Sequence, residues 1–291
     1  MAKSRRIARI NIGLAASLAI ATLAGPASAL KEATLYYVNN HDSADGACGG
    51  SSFSWGDNTV DYLADKLNDW DWDRVYEHSN LWVDFRDLAD VDEDSGGNDS
   101  ADPAGVDSAD LGMIYSHGGV SGCSDDVAYS YVKMGDADTE CKVRYGAHSS
   151  KNDVWWGDTD LNIMIIDTCY SVHKCAFNDG AYFVASGNMG AILGFHGISY
   201  DSRYHTNDFE NFVDDSRYDG LGDNWVDDMT YRWIGWDNDE CGTAVTFGAS
   251  ESDCNYVFQW GGLEDWKSIS SHHTATFYYI EGCNPSGGNK L

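Results

Sequence analysis

Two side chains that can do nucleophilic chemistry each follow a run of hydrophobic residues. The first run, residues 111–116, ends at His117, and the second, residues 161–166, ends shortly before Cys169. Apolar runs of this length predict buried strands of a parallel sheet, in which functional residues follow the carboxyl ends of the strands. We therefore expect the imidazole and the thiol at one edge of a sheet, where a histidine can act as the base of a cysteine nucleophile.

Several groups around this pair could complete a catalytic site. A thiol attacks a carbonyl only as the thiolate, so Cys169 needs a base such as His117. Gly118 and Gly119 follow the histidine, and glycine lets a backbone amide approach a reacting oxygen closely, so Gly118 and the amide of Cys169 are candidate oxyanion donors. Asp167 would share the face of Cys169 in a strand. Its carboxylate could line a pocket for a cationic side chain or hold a neighbouring loop.

A third hydrophobic run also ends in a histidine. Residues 190–195 precede His196, which makes this residue the alternative base. It follows Cys169 in the chain, whereas His117 precedes it. A histidine at a strand end can also be a structural hydrogen-bonding residue, so the positions of the two rings relative to the thiol decide between them.

The rest of the chain predicts strands and helices around these three runs. Strand patterns, in which β-branched and aromatic residues recur, are found at residues 33–38, 74–83, 242–249 and 274–281. Helical spacing of apolar residues is found at residues 58–70, 204–215 and 224–233. Residues 91–110 predict a loop, and residues 121–152 an irregular region with one possible hairpin. This alternation predicts an α/β fold with a mostly parallel sheet that is covered on both faces.

The first 29 residues have the pattern of a secretory signal peptide. Four basic residues precede an apolar stretch at residues 10–23, which is shorter than the roughly 20 residues of a membrane span, and Ala27-Ser28-Ala29 fits the cleavage rule. A retained membrane anchor is the alternative. We expect a single domain over residues 30–291, secreted or periplasmic, with no membrane contact after cleavage.

The chain is strongly acidic, with a formal net charge of −29. Removal of the signal peptide, which holds four positive charges and no negative ones, brings it to about −33. Such a protein repels phosphates, which excludes nucleic acid as a partner. The charge is typical of a solvated acidic surface or of calcium binding. Asp90, Asp92 and Asp94 alternate before two glycines and are weak calcium candidates; a solvated loop is the alternative, because their spacing does not match the twelve-residue calcium hand. We predict no other cofactor.

Eight cysteines in an exported chain predict disulfides. The spacing favours Cys241–Cys254, followed by Cys123–Cys141. A free Cys169 would leave an odd number of cysteines, so one more would be unpaired. If Cys169 pairs with Cys175 instead, it cannot be a nucleophile.

Residues 111–197 resemble the superfamily of cysteine peptidases that contains caspases, metacaspases, legumain and gingipains. The resemblance rests on a hydrophobic block with His-Gly, followed by a hydrophobic block with Asp-x-Cys-x-Ser, here residues 167–171. The segment is also similar to an uncharacterised exported bacterial family with a caspase-like core. The resemblance implies His117 as base, Cys169 as nucleophile and Gly118 as oxyanion donor. It further implies a three-layer α/β sandwich, with a mostly parallel central sheet and helices on both faces. It also implies cleavage after Arg or Lys, with Asp167 in the specificity pocket.

Two hypotheses about function follow. The first is an exported cysteine peptidase that acts on peptides or proteins through a His117–Cys169 dyad. The second is a non-catalytic exported domain of the same fold that binds peptide or glycan, with Cys169 in a disulfide. The abundant Trp and Tyr residues could supply a sugar-binding surface or simply the core. The sequence does not indicate an oligomeric state.

Overall fold

The protein is built on a central sheet of eight strands, to which a second sheet of three strands is added. The computed structural model describes residues 7–13, 30–123, 128–146, 152–177, 181, 184–230, 240–266, 269 and 272–283. The central strands are β1 (Ile7–Gly13), β2 (Glu32–Tyr37), β3 (Arg74–Ser79), β4 (Leu111–Tyr115), β8 (Ile163–Asp167), β9 (Ala191–Phe195), β10 (Gly242–Gly248) and β11 (Thr274–Ile280). The small sheet contains β5 (Gly118–Ser121), β6 (Tyr129–Lys133) and β7 (Lys142–Gly146). The helices are α1 (Gly56–Asp69), α2 (Lys174–Phe177), α3 (Arg203–Asp215), α4 (Leu221–Asp228) and α5 (Glu251–Trp260).

The central sheet is mostly parallel, as the sequence predicts. Its order is β1-β11-β10-β9-β8-β4-β2-β3. The five strands from β9 to β3 run parallel, whereas β10 is antiparallel to both of its neighbours. Every residue of β4, β8 and β9 is buried, because both faces of these strands are covered. The strands that precede His117 and Cys169 are therefore neighbours in the middle of the sheet.

The two faces of the sheet are covered differently. Helices α1, α3, α4 and α5 bury their apolar sides on one face, with Leu63, Phe209, Trp225 and Phe258 among the buried residues. The small sheet, the short helix α2 and the long loops cover the other face, around Trp156. This is an α/β arrangement consistent with a three-layer sandwich. Helices do lie on both faces, but α2 is the only α-helix on the second face among the described residues.

Most of the predicted elements are found, with shifts of a few residues at their ends. The possible hairpin within residues 121–152 is part of the three-stranded sheet β5-β6-β7. Helix α4 starts before residue 224 and ends at Asp228; residues 231–233 of the predicted helix lie outside the described residues. Helix α5 was not predicted, although Ser250 caps it by accepting a hydrogen bond from the amide of Asp253. This Ser-x-x-Asp spacing is the signal that could have revealed it.

Strand β1 lies within the predicted signal peptide. It pairs antiparallel with β11 at the edge of the sheet, and the remaining residues of 1–29 lie outside the described residues. Cleavage after Ala29 would leave a seven-stranded sheet with β11 at that edge. The signal peptide stays a prediction. Over the described part of the chain, no helix combines the length and the apolar character that a bilayer span needs.

Three disulfides join distant parts of the chain, and the predicted pairings are wrong. Cys241 pairs with Cys283 rather than with Cys254, because β10 and β11 are antiparallel and place the start of one beside the end of the other. The remaining bonds are Cys48–Cys141 and Cys123–Cys175. The two remaining cysteines are free: Cys254, which is buried on α5, and Cys169. Cross-links of this kind persist in oxidising compartments, so they fit an exported protein.

Candidate active site

The His-Gly pair and the cysteine loop meet where β4 and β8 end. Tyr115 is paired with Asp167 in the parallel register, so the next residues of both chains leave the sheet side by side. A Cβ atom at Gly118 would lie 2.7 Å from the carbonyl oxygen of Cys169 and closer still to Oγ1 of Thr168. Only glycine fits so close a backbone contact. The structure thus places the segment after His117 against the segment that carries Cys169.

The ring of His117 is oriented by the loop before α1. Its Nε2 lies 2.7 Å from the carbonyl oxygen of Ser51. A carbonyl can only accept, so Nε2 carries the proton, and the neutral ring keeps its lone pair on Nδ1. The ring also packs against Phe53 and His41, with centroids 4.2 and 4.5 Å away. Partial burial lowers the pKa of His117, so the ring is a neutral base near pH 7.

The thiol of Cys169 is free and partly buried. Its Sγ lies 3.5 Å from the carbonyl oxygen of Ser199, to which the S–H donates. Burial raises the pKa of the Cys169 thiol, so it is protonated at neutral pH. Within the described residues no hydrogen bond joins Sγ to His117. The resting pair is therefore a neutral thiol and a neutral imidazole. Catalytic hydrogen bonds often tighten only when substrate binds.

A sharp turn follows Cys169 and explains the serine of the motif. Tyr170 has a φ of 56°, a left-handed conformation that non-glycine residues seldom adopt, and its amide donates to the carbonyl of Gly197 at 2.6 Å. The hydroxyl of Ser171 donates to the carbonyl of Ile166 at 2.7 Å and accepts from the amide of Phe195 at 2.9 Å. Ser171 thus ties the turn to β8 and β9.

Asp167 lies in a buried charge network. Its Oδ2 and Oδ1 are 2.8 and 3.0 Å from Nε2 of His205, and the hydroxyl of Ser199 donates to Oδ1 at 2.6 Å. Nδ1 of His205 contacts Glu240. Burial alone would lower the pKa of His205, but the two carboxylates raise it well above its ordinary value. His205 is therefore a buried imidazolium, and we call Asp167, His205 and Glu240 the buried triad.

The buried triad restricts the access of other groups to the carboxylate of Asp167. Its side chain has no exposed surface, and both oxygens already contact His205. A substrate cation could reach this carboxylate only if His205 moved, so the substrate-binding role stays a prediction. Sequence reasoning missed His205 and Glu240. A histidine on the apolar side of a predicted helix, in line with Phe209 and Phe212, was the available signal.

His196 has a structural environment. It is buried, its Nδ1 accepts a hydrogen bond from the amide of Lys174 at 3.0 Å, and its ring stacks on His173 with centroids 4.1 Å apart. Nδ1 is thereby occupied at the start of α2. His196 is thus a structural hydrogen-bonding residue at a strand end, and this favours His117 as the base.

Asp201 connects the histidine side of the site with the cysteine side. Its carboxylate accepts hydrogen bonds from the amides of Ser54 and Trp55 at 2.8 and 2.9 Å and from the hydroxyl of Tyr115 at 3.2 Å. The loop that carries Ser51 is thereby attached to the segment that follows Ser199. Sequence reasoning did not identify Asp201, because the residues it joins are far apart in the chain.

The calcium candidates do not converge as their alternation suggests. Asp90 is buried and accepts from the amides of Asp92 and Glu93, whereas Asp94 accepts from Gly96 and lines a surface groove with Arg86. The charge of Asp158 acts on Asp90, and burial is the main cause that raises the pKa of Asp90. Within the described residues, Asp90, Asp92 and Asp94 do not bring three oxygen ligands together.

One set of metal-type side chains comes close together in the described part of the chain. Ligand atoms of Cys123, His173 and Cys175 lie within 4.8 Å of one another. The two sulfur atoms are bonded to each other, however, and a metal ligand must be a thiolate. The residues as they stand do not fit a metal ion.

Comparison with known proteins identifies no family for this chain. A scan against protein-family models found no match, and a search of the curated proteins found no relative.

Proposed function

We propose that the protein is an exported cysteine peptidase of caspase-like fold, with Cys169 as nucleophile and His117 as base. The observation that carries the proposal is the contact of Gly118 with Thr168 and Cys169, where the neighbouring strands β4 and β8 end. In support, Cys169 is free while six of the eight cysteines are cross-linked.

The protonation states define the order of steps. As Sγ of Cys169 attacks the carbonyl carbon of a peptide bond, Nδ1 of His117 takes the thiol proton. The carbonyl oxygen becomes an oxyanion, for which the amides of Gly118 and Cys169 are the candidate donors. His117 then gives the proton to the departing amine, and a thioester remains. Water, deprotonated by His117, hydrolyses the thioester and restores the thiol.

The proposed preference for Arg or Lys before the cut needs a different physical basis. With Asp167 bound to His205, the acidic field of the whole chain is a source of attraction for a cationic substrate that does not require contact with Asp167. Such long-range attraction is screened by salt. A preference of this origin falls as the salt concentration rises, whereas direct contact with a buried carboxylate would persist.

A peptide-binding domain without catalysis is the second candidate. The raised pKa of Cys169 favours it, because a protonated thiol is a poor nucleophile. The original form of this hypothesis placed Cys169 in a disulfide, and that premise is wrong, since Cys175 pairs with Cys123.

Hydrolysis by the purified, oxidised protein tests the two candidates. A fluorogenic peptide panel with Arg, Lys, Asp or Leu before the cut is assayed with wild type, Cys169→Ala and Cys254→Ala. Cys254 is the matched control, because it is the other free cysteine. Peptidase function predicts loss of turnover in Cys169→Ala alone. Binding of a panel peptide without turnover in wild type supports the second candidate and contradicts the first.

A further inference from the structure

Asp99 is a buried carboxylate with an unsatisfied oxygen. Its side chain is 1% exposed, and Oδ2 has no hydrogen-bond partner. Within the described residues Asp99 forms no ion pair. A buried charge without a partner is costly, so such a group normally loses its proton only where a cation compensates it.

Further carboxylates surround Asp99. Burial first, and then the charges of Asp107, Asp90 and Asp158, raise the pKa of Asp99 to about 8. Asp92 in turn acts on both Asp90 and Asp158. The three charged neighbours that raise the pKa of Asp99 are thus all acids, and Asp90 and Asp107 are buried as well.

Asp107 organises the loop but does not itself offer a free oxygen. Its two oxygens accept hydrogen bonds from five successive backbone amides, at residues 157–161, with distances from 2.7 to 3.4 Å. These bonds hold the backbone of Asp158 next to the loop that carries Asp99. The amide of Asp107 also donates to the carbonyl of Asp99 at 2.7 Å, so the two segments are joined directly.

We propose that Asp90, Asp92, Asp99 and Asp158 bind one calcium ion at the amino-terminal ends of β4 and β8. This position is at the opposite edge of the sheet from His117 and Cys169, so the site is separate from the candidate active site. The sequence pattern indicates Asp90, Asp92 and Asp94 as calcium candidates. The site proposed here leaves out Asp94 and is centred on Asp99.

Calcium fits this set better than other common ions. All of the proposed metal ligands are carboxylate oxygens, which bind hard cations such as calcium and magnesium rather than soft metals. Asp92 and Asp158 are exposed at the rim, whereas Asp90 and Asp99 are buried. Among the described residues, no three acidic side chains bring one oxygen each within 4.8 Å of one another, so calcium binding requires the exposed side chains of Asp92 and Asp158 to rotate inward. Calcium tolerates an irregular site of this kind, whereas magnesium requires near-ideal octahedral geometry.

Calorimetry with the full protein tests the site. Protein treated with EDTA and then desalted is titrated with CaCl2 or MgCl2 at constant ionic strength. We expect one calcium per chain. Asp99→Asn and Asp158→Asn should each weaken calcium binding at least tenfold. Asp94→Asn and the surface control Asp219→Asn should bind as wild type does.

Thermal unfolding separates a ligand from a structural role. In EDTA, Asp99→Asn should unfold at the same temperature as wild type or higher, because the amide replaces a buried carboxyl group that is protonated and unpaired when no calcium is bound. In calcium it should unfold at a lower temperature, because it loses the stabilisation by the ion. If Asp99→Asn does not fold, calcium binding by Asp158→Asn decides. The proposal is overturned if calcium binds no better than magnesium, if neither variant weakens binding, or if Asp94→Asn abolishes it.

Discussion

Both carboxylate oxygens of Asp167 lie within 3.0 Å of Nε2 of His205, and the other ring nitrogen of His205 contacts Glu240. The three side chains are buried, so this is a cation held between two carboxylates beneath the cysteine loop. The contact joins the end of β8 to α3 and to the segment before β10. Ser199 extends the network, since its hydroxyl bonds to Asp167 and its carbonyl to Cys169.

Removal of the central cation should destabilise the fold. In His205→Gln two buried carboxylates lose their compensating charge, and breaking a buried ion pair in this way costs about 3–5 kcal/mol. Urea unfolding of the oxidised protein measures the effect. The exposed His273 provides the control, and His273→Gln should change stability by less than about 0.5 kcal/mol. Equal stability of the two variants would contradict a charged His205.

The same pair of variants gives a pH dependence with a defined sign. The folded pKa of His205 is raised above its unfolded value, which is about 6.5. Its contribution to stability is therefore fully present below about pH 6.5 and is lost as pH rises through the folded pKa. The stability difference between wild type and His205→Gln should shrink in alkaline solution. A difference that grows from pH 6 to pH 9 would show that the sign is wrong.

A methyl group at Gly118 should damage the site. The Cβ of Gly118→Ala meets Thr168 and the carbonyl of Cys169 at less than contact distance, so we expect a loss of about 1–3 kcal/mol and a displaced cysteine loop. Gly187→Ala is the matched control, because a Cβ there meets nothing within 4 Å. Chemical denaturation and peptide hydrolysis are measured on both. Full stability and turnover in Gly118→Ala would disprove the close approach.

Alkylation of Cys169 should require alkaline pH. Burial raises the pKa of its thiol and lowers that of His117, so a preformed thiolate–imidazolium pair is not expected. The rate of iodoacetamide labelling, followed at Cys169 by peptide mapping, should keep rising above about pH 8.5, the ordinary cysteine pKa. Cys169→Ser gives the background. A plateau of fast labelling at pH 6 would instead indicate an ion pair.

A thiol count checks the cross-links. The denatured, unreduced protein should react with two equivalents of a thiol reagent, from Cys169 and Cys254. Non-reducing peptide mapping should recover the three pairs Cys48–Cys141, Cys123–Cys175 and Cys241–Cys283. No free thiol, or a Cys169–Cys175 peptide, would exclude the nucleophile proposed above.

The sequence alone determined which strands form the middle of the sheet. Continuous apolar runs are needed wherever a strand is covered on both faces, so β4, β8 and β9 are visible without any knowledge of the tertiary contacts. Because parallel strands end at the same edge, the runs also placed His117 and Cys169 near each other.

Only the tertiary structure decided what the polar groups around that edge contact. Asp167 and His205 are 38 residues apart, His205 and Glu240 are 35 apart, and Cys241 and Cys283 are 42 apart. Hydrophobic periodicity reports whether a residue is buried, but it contains no information on which distant segment buries it. The partner of Asp167 depends on where α3 returns to the sheet, and the partner of Cys241 depends on the antiparallel register of β10 and β11. Both are consequences of the path of the chain rather than of any local pattern.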